Sequence, residues 1–164
     1  ATTTGLIVFA LSRQAAGFIL KEFKGHRIQK EYLALVKGKP EKKQFTLTAP
    51  IGVVAGAKRG VGEGILKPQA ASTRVEWLAS TDTHSILKVT PLSGRTNQIR
   101  VHLSSQGLPI LNDEVYGEGD GESYEYGLHA WKLNFQCFDR HYEFKASPPP
   151  HFYSFCEGLE KHIL

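Results

Sequence analysis

The sequence predicts an α+β fold, in which a mostly antiparallel mixed sheet is accompanied by a few helices. Short segments that are apolar throughout, or that alternate apolar and polar residues, recur along the chain and are typical of strands. Only three segments combine the helical spacing of apolar residues with capping or stop residues. A length of 164 residues, with 41% hydrophobic and 22% charged residues, indicates one globular domain.

The N-terminal segments predict a strand followed by a helix. Residues 5–11, "GLIVFAL", form an apolar run rich in β-branched side chains, which predicts a buried strand. Residues 12–27 begin with Ser12 as a helix cap and reach Gly25 as a stop, with apolar side chains at positions 15, 18, 19 and 23. This spacing predicts an amphipathic helix.

The middle of the chain predicts four more strands and a loop. Strands are expected over 28–38 and 45–51, and a hairpin around the "TDT" turn is expected to join strands 71–80 and 84–92. Between these segments lies the glycine-rich basic stretch "GVVAGAKRGVGEG", residues 52–64. Its glycines predict a loop.

The segment "SGRTNQIRVHLSSQGLP", residues 93–109, fits a strand or a helix by period alone. As a strand, it alternates Gln98, Arg100 and His102 with apolar residues. As a helix, it has a cap at Thr96 and a stop at Gly107, with a proline just beyond. These end signals favour a helix over 97–106.

The C-terminal part predicts two strands, within 127–137 and 141–149, and a closing helix over 150–163. No internal repeat interrupts the chain, so one domain is expected to cover residues 1–164. There is no run of 18 apolar residues and no signal-peptide pattern, and we expect no membrane association. Two cysteines are too few for a disulfide framework, which favours a reducing, cytoplasmic setting.

The charge and the glycine-rich stretch leave two interpretations open. A net charge of +4 and a pI near 9.1 suit a polyanionic partner, but they also suit a slightly lysine-rich surface. Residues 52–64 lack the residue order of a phosphate-cradling nucleotide loop. They predict either a basic loop that touches a nucleic-acid backbone through Lys58 and Arg59 or a plain flexible turn.

Metal sites are not indicated by the sequence. The acidic stretch "GEGDGE", residues 117–122, has too few carboxylates at liganding spacing for calcium and is predicted to be a solvent loop. The histidines show no H-x-x-x-H pair that would suggest a metal centre.

Two residues remain as candidates for chemistry. Tyr32 lies in the middle of a predicted strand, where a half-buried tyrosine is the usual outcome. Arg100 lies between Ile99 and Val101, so its guanidinium is expected to be partly buried and to need an anion. A structural carboxylate, a catalytic carboxylate and an RNA phosphate all fit this need.

Three motifs resemble those of the RluA family of pseudouridine synthases. "GRTNQIRVHLSSQGLPILNDEVYG" resembles the family signature G-R-T-H-Q-I-R-V-H-L…G-x-P-I-x-G-D-x-x-Y-G. "KEYLALVKG" resembles K-x-Y-x-A-x-V-x-G, and "TTGLIVFAL" resembles the end of H-R-L-D-x-x-T-S-G-L-L-x-F-A. The motifs lie in the family's order and spacing, and the resemblance runs through nearly the whole chain.

The resemblance also reveals departures. Thr4 stands where the family has serine, Asn97 where it has histidine, and Asn112 where it has glycine. The family's catalytic aspartate aligns immediately before Ala1, and the chain contains no methionine. We therefore expect that the upstream part of the domain is missing and that residues 1–164 alone are inactive.

The resemblance implies a catalytic-domain fold and an isomerase that converts uridine to pseudouridine in ribosomal or transfer RNA, without a cofactor. Tyr32 would stack on the target base and accept the C5 proton, and Arg100 would hold the aspartate ionised and oriented. The alternative is a non-catalytic RNA-binding protein of the same fold. In either case we expect a monomer whose RNA contacts include Arg13, Lys58, Arg59, Arg95, Gln98 and His102.

Overall fold

A computed structural model describes residues 3–117 and 125–155 of the protein. These residues form three helices, α1 (Arg13–Lys24), α2 (Gln98–Ser104) and α3 (Pro150–Ser154). They also form ten strands: β1 (Thr4–Gly5), β2 (Gln29–Lys37), β3 (Gln44–Leu47), β4 (Ile51–Ala55), β5 (Lys58–Gly60), β6 (Leu66–Gln69), β7 (Thr73–Ser80), β8 (His84–Pro91), β9 (Leu128–Cys137) and β10 (Arg140–Lys145). None of the described helices is long and apolar enough to cross a membrane.

The strands form a large sheet and a small one. In the described part of the chain, the seven-stranded sheet has the order β1-β9-β2-β8-β7-β3. The seventh strand, β10, pairs with residues Lys132 to Cys137 of β9. The pairs of this sheet are antiparallel except for β1 with β9, which run parallel. The predicted α+β class and the β7–β8 hairpin are confirmed, since Thr73 to Ser80 pair with Pro91 to Ser85.

Each face of the large sheet carries a helix. Successive side chains of a strand point to opposite faces, so Leu33 and Leu35 of β2 lie on one side and Ala34 on the other. Phe152 of α3 packs with the two leucines, whereas Ile99 and other apolar residues of α2 pack on the side of Ala34. The helix that carries Arg100 is therefore anchored on one face of the sheet.

The N-terminal strand is much shorter than the sequence predicts. Pairing with β9 ends after Leu6, whose backbone N–H donates to the carbonyl of Ala130 at 3.0 Å. Ile7, Phe9 and Leu11 are 73%, 75% and 98% exposed, so most of the apolar run 5–11 is not a buried strand. An apolar run forms a strand only where another strand supplies its hydrogen bonds, and β9 does so only at the start of this run.

The glycine-rich stretch 52–64 is largely a hairpin rather than a loop. Residues 52–60 lie in β4, β5 and the turn between them, and β4 also pairs with β6 to complete a small three-stranded sheet. At Gly52 a Cβ atom would lie 2.7 Å from the carbonyl oxygen of Leu66. Glycine at this position therefore allows two strands to approach closely, which composition alone does not distinguish from a loop.

The helices agree with the sequence predictions except at their ends. Ser12 caps α1 by accepting a hydrogen bond from the backbone N–H of Ala15 at 3.1 Å, as expected. Helix α2 confirms the helical interpretation of 97–106, and Gly107 follows it with a left-handed φ of 69°. Only the start of the predicted closing helix forms α3, and residues 156–163 lie outside the described residues, as do 118–122 of the acidic stretch.

Candidate active site

A cleft of about 440 Å³ lies where β1, the start of β2 and the start of α2 meet. It brings together the two residues singled out for chemistry, Tyr32 and Arg100, although 67 positions separate them in the chain. The N-terminal residues Thr3, Thr4 and Gly5 line the same cleft. The three motifs that resemble one family thus converge on a single cavity.

The N-terminal residues are anchored to β9 by a buried histidine. The Nε2 atom of His129 lies 3.1 Å from the carbonyl of Ala146, and its Nδ1 atom lies 2.8 Å from Thr4 Oγ1. Because a carbonyl only accepts, Nε2 carries the proton and Nδ1 accepts from the hydroxyl of Thr4. Burial lowers the pKa of His129, which keeps the ring neutral and preserves this arrangement.

Gly5 completes the anchor beside the cleft. Its φ is 95°, and a Cβ atom would lie 2.2 Å from the carbonyl oxygen of Ala130. Both observations exclude a larger residue, because the chain must pass very close to β9 here. The backbone that leads into the cleft from the N-terminus therefore has a defined position.

Tyr32 is half-buried on the central strand β2, opposite Val89 of β8 and Ala130 of β9. A bulge between Glu31 and Tyr32 shifts the register with β9 at this point. Burial raises the pKa of Tyr32, so its hydroxyl stays protonated near neutral pH. The side chain therefore offers an apolar ring and a hydrogen-bond donor to the cleft.

Arg100 is held by a carboxylate that the sequence reasoning did not select. Its Nε atom donates to Asp113 Oδ2 at 2.8 Å, and its Nη2 atom donates to Asp113 Oδ1 at 2.7 Å. Its Nη1 atom donates to Asn97 Oδ1 at 3.2 Å, and the guanidinium lies 4.9 Å from the ring centroid of Tyr116. Of the three anions that fitted Arg100, the described residues supply a structural carboxylate.

Asp113 is completely buried, and several donors converge on it. Besides Arg100, it accepts hydrogen bonds from the backbone N–H groups of Val115 and Tyr116 and from the hydroxyl of Tyr126. Burial by itself raises the pKa of a carboxyl group, but the bonds from Arg100 and the backbone outweigh it, so the pKa of Asp113 is lowered. The D-x-x-Y-G motif is the sequence signal that could have identified this residue.

Gln98 and His102, two of the residues predicted to contact RNA, are buried, although Gln98 also lines the cleft. His102 is fully buried, and its two ring nitrogens lie 2.8 Å from Thr73 Oγ1 and 2.9 Å from the carbonyl of Ala49. Gln98 is 4% exposed, and its amide oxygen accepts hydrogen bonds from the hydroxyl of Ser93 and the backbone N–H of Arg95. Its amide nitrogen donates to the carbonyl of Ser72 and the hydroxyl of Thr73. Their polar atoms are satisfied within the protein and anchor α2 to β7 and the preceding loop.

The predicted basic contacts occupy three different places. Arg95 lines the cleft, and its Nε atom donates to the carbonyl of Ala70 at 2.9 Å. Lys58 and Arg59 lie on β5, where the backbone N–H of Arg59 donates to the hydroxyl of Tyr116 at 3.0 Å. Arg13 is exposed at the start of α1 and does not line the cleft.

A larger groove of about 980 Å³ adjoins the cleft and shares Lys30 and Arg95 with it. Basic side chains outnumber acidic ones along the groove, and two of the lysines form ion pairs with Glu76 and Glu31. Burial lowers the pKa of Lys30, whose ammonium lies 5.4 Å from the ring centroid of Phe23. The cations of the groove are Lys24, Lys30, Arg74, Lys88, Arg95 and Lys132, and the carboxylates are Glu31, Glu76 and Glu143.

A metal centre requires several His, Cys, Asp or Glu side chains close enough to bind one ion. In residues 3–117 and 125–155, no three such side chains converge as ligands of one ion. The groups that line the cleft are hydrogen-bond donors, an aromatic ring and cations.

Comparisons with known proteins point to one family. The family model described as RNA pseudouridylate synthase matches residues 1–105. A Haemophilus influenzae protein named as an uncharacterized RNA pseudouridine synthase is 34% identical, and the alignment covers 81% of this chain and 58% of that protein. The ribosomal large subunit pseudouridine synthase D of Borreliella burgdorferi is 31% identical, with 80% of this chain and 41% of that protein covered.

A solved structure supports the same assignment. The structure of human RNA pseudouridylate synthase domain containing 1 superposes with a TM-score of 0.79 at 30% identity, covering 89% of this chain and 64% of that one. The chain thus spans about half the length of the curated relatives that it matches.

Proposed function

The chain belongs to the RNA pseudouridylate synthase family, and on this premise we propose that its cleft converts uridine in RNA to pseudouridine. The observation that carries the proposal is the convergence of Tyr32, Arg100 and residues 3–5 on one cavity. These residues come from three separate motifs, so their meeting is a property of the folded chain. It supplies an aromatic ring, a directed cation and a fixed backbone at one place.

The proposed reaction is an isomerisation. The bond from C1′ to N1 of the uracil breaks, a bond from C1′ to C5 forms, C5 loses its proton and N1 gains one. No oxidant, reductant or group donor is consumed, so the reaction itself requires no cofactor. A nucleophile or base is required at the sugar or the ring.

An aspartate immediately upstream of Ala1 would supply that group, as the family resemblance implies. Three residues of extended chain span at most about 11 Å. Because Thr3 lines the cleft, a residue three positions before it is within reach of the same cavity. The anchoring of Thr4 and Gly5 to β9 supports a defined approach of this segment.

Arg100 has donors left for a second anion. Of the five N–H bonds of a guanidinium, the described contacts to Asp113 and Asn97 use three. The side chain is 20% exposed and lines the cleft. The remaining N–H bonds are suited to hold the reacting carboxylate ionised and oriented, since hydrogen bonds donated to the charged form favour it.

Tyr32 is suited to pack against the target base. Its ring lines the cleft, and stacking on an aromatic side chain stabilises a base that has left its helix. The raised pKa of Tyr32 makes its phenol a weak proton acceptor near neutral pH. We therefore assign stacking and hydrogen-bond donation to Tyr32 ahead of abstraction of the C5 proton.

The groove beside the cleft is suited to the RNA on either side of the target. A base inside a duplex must be extruded before it reacts, at a cost of a few kcal/mol. Phosphate contacts from Lys30 and Arg95, which border both cavities, would offset part of this cost. Lys58 and Arg59 on the small sheet provide a second place for backbone contacts, and ribosomal and transfer RNA are the substrates to test first.

The test compares RNA from a strain that lacks the gene with the same RNA after incubation with the protein expressed from its complete open reading frame. Pseudouridine is mapped by carbodiimide labelling and by nucleoside mass spectrometry, separately in ribosomal and transfer RNA. We expect one or a few uridines to be unmodified in the mutant and restored by the protein. RNA binding without any pseudouridine would instead support a non-catalytic RNA-binding protein.

A further inference from the structure

The buried carboxylate behind Arg100 has a consequence for how the cleft works. We propose that Asp113 is a positioning residue, which sets the orientation of the Arg100 guanidinium toward the cleft. The proposal rests on the proposed function for its rate measurements, but its structural part is measurable without catalysis. Asp113 itself does not line the cleft, so it would act only through Arg100.

Two parallel bonds determine the plane of the guanidinium. The Nε and Nη2 atoms donate to the two carboxylate oxygens at 2.8 Å and 2.7 Å, which is the bidentate geometry of an arginine–carboxylate pair. A single contact would leave the side chain free to rotate, whereas two parallel contacts and the bond from Nη1 to Asn97 leave one orientation. The ion pair with Asp113 therefore fixes the direction in which the unused N–H bonds of Arg100 point.

Asp113 is itself held in place by its surroundings. Two backbone N–H groups, from Val115 and Tyr116, donate to Oδ1 at 3.1 Å and 3.0 Å, and the hydroxyl of Tyr126 donates to Oδ2 at 3.2 Å. These donors meet a carboxylate with no exposed surface. The carboxylate therefore serves as a rigid support from which Arg100 extends to the partly exposed side.

The charge balance favours positioning over simple attraction. If Arg100 had no other partner, a carboxylate in the cleft would neutralise its positive charge. In this protein Asp113 already neutralises that charge. An anion in the cleft then meets directed N–H donors of a neutral pair instead of an unpaired charge. The orientation of these donors, more than the net charge, would determine how a reacting group is held.

The first test replaces Asp113 by asparagine, which keeps the size but cannot accept both bonds from Arg100. We expect the single-turnover rate of pseudouridine formation to fall by about tenfold to 100-fold, since small misplacements of an aligned group have effects of this size. The dissociation constant for the same RNA is expected to change by less than about twofold, because Asp113 is buried and does not line the cleft.

A matched control is present in the same chain. Arg27 donates to Glu22 through Nε at 2.9 Å and Nη2 at 2.7 Å, which is the same bidentate geometry at a site outside the cleft. Glu22→Gln should leave the single-turnover rate unchanged. A similar loss of rate in both variants would overturn the proposal, because it would mark a general effect of removing an ion pair.

A second variant and a second measurement cover the case in which Asp113→Asn does not fold. Tyr126→Phe keeps the ion pair and removes one bond to Oδ2, and should lower the rate by about two- to fivefold, as expected for one hydrogen bond. Nitrogen-15 spectra of the arginine side chains should show hindered rotation at Arg100 in the wild-type protein and faster rotation in the folded variants.

The outcomes separate this proposal from the proposed function. A wild-type rate in either folded variant, or equal rotation of Arg100 in variant and wild type, would overturn the positioning role. A wild-type protein that forms no pseudouridine would refute the proposed function, while the rotation of Arg100 would still decide whether Asp113 orients it.

Discussion

The guanidinium of Arg100 makes three hydrogen bonds that a lysine at the same position cannot reproduce. Lysine keeps the charge but presents it as a point on a flexible stem, without the planar set of donors. We therefore expect Arg100→Lys to lower single-turnover formation of pseudouridine by about 100-fold or more. The dissociation constant for RNA should change little.

Arg95 provides the comparison for this prediction. It lines both the cleft and the groove, and Arg95→Lys should mainly weaken RNA binding while turnover of bound RNA stays close to normal. Rates and dissociation constants are measured for both variants on one RNA, with thermal unfolding as a check of the fold. Near-normal turnover in Arg100→Lys would show that the wrong arginine has been assigned.

The buried His129 makes stability depend on pH. Burial lowers its pKa below the ordinary value of 6.5, so the folded protein keeps the ring neutral while the unfolded chain takes up a proton. The stabilisation is complete above about pH 6.5 and is lost as the pH falls toward the pKa of the folded state. One such histidine lowers the free energy of unfolding by at most about 1.4 kcal/mol per pH unit in this window.

The measurement is urea unfolding at pH 7.5 and pH 5.5 for the wild type and for His129→Gln. The wild-type protein should lose more stability between the two pH values than the variant, because glutamine does not titrate. His102 is also buried with a lowered pKa and remains in both proteins, so the variant should retain part of the pH dependence. Equal losses in the two proteins would contradict the assignment to His129.

Two departures from the family motifs have a backbone explanation. Asn97 and Asn112 adopt φ values of 57° and 58°, in the left-handed region. Asparagine is enriched there several-fold over other non-glycine residues, which explains why it can replace the glycine expected at 112. Asn97 also bonds to Arg100 and to the hydroxyl of Tyr116, so the residue that stands in place of histidine takes part in the site.

At the scale of elements, the small sheet places two cations beside the body of the protein. If β5 contacts RNA phosphates, each lost contact should reduce the slope of log affinity against log salt by about 0.7 for single-stranded RNA. We expect Lys58→Ala to weaken binding and to reduce this slope, without lowering the single-turnover rate of bound RNA. Fluorescence anisotropy over a range of salt concentrations measures the slope.

Lys39 offers a matched lysine outside the cleft and the groove. It lies just beyond the end of β2, 4.0 Å from Asp82, and lines neither cavity. Lys39→Ala should leave the salt slope unchanged. Equal effects of the two substitutions would show that RNA responds to the total charge of the protein and not to β5.

Element type was predictable where local signals agreed with the tertiary contacts. The cap at Ser12 and the stop at Gly107 are local, and both helices formed where they were expected. The prediction of a strand over 5–11 was wrong because a strand needs a neighbouring strand to bond to, and the sequence of this run does not show where that neighbour ends. The prediction of a loop over 52–64 was wrong because glycines occur both in flexible turns and where two strands approach closely, as they do here.

At the scale of the whole molecule, the groove and the cleft define a basic path. Six cations against three carboxylates line the groove, which suits a polyanion that passes the cleft. We expect affinity for single-stranded RNA to fall steeply with salt, with a slope of about −0.7 for each phosphate contact. Binding that is insensitive to salt between low and physiological concentrations would indicate a different kind of partner.

The sequence by itself determined the α+β class and the helical nature of α2, and it selected Tyr32 and Arg100 as candidates, because these depend on local patterns and on motifs. Only the tertiary structure decided which anion holds Arg100, since Asp113 reaches it through the turn that follows α2 and is then enclosed by Tyr126. It also decided that Gln98 and His102 face inward. Polar residues on a short helix look alike in sequence, and only packing determines which of them lose contact with water.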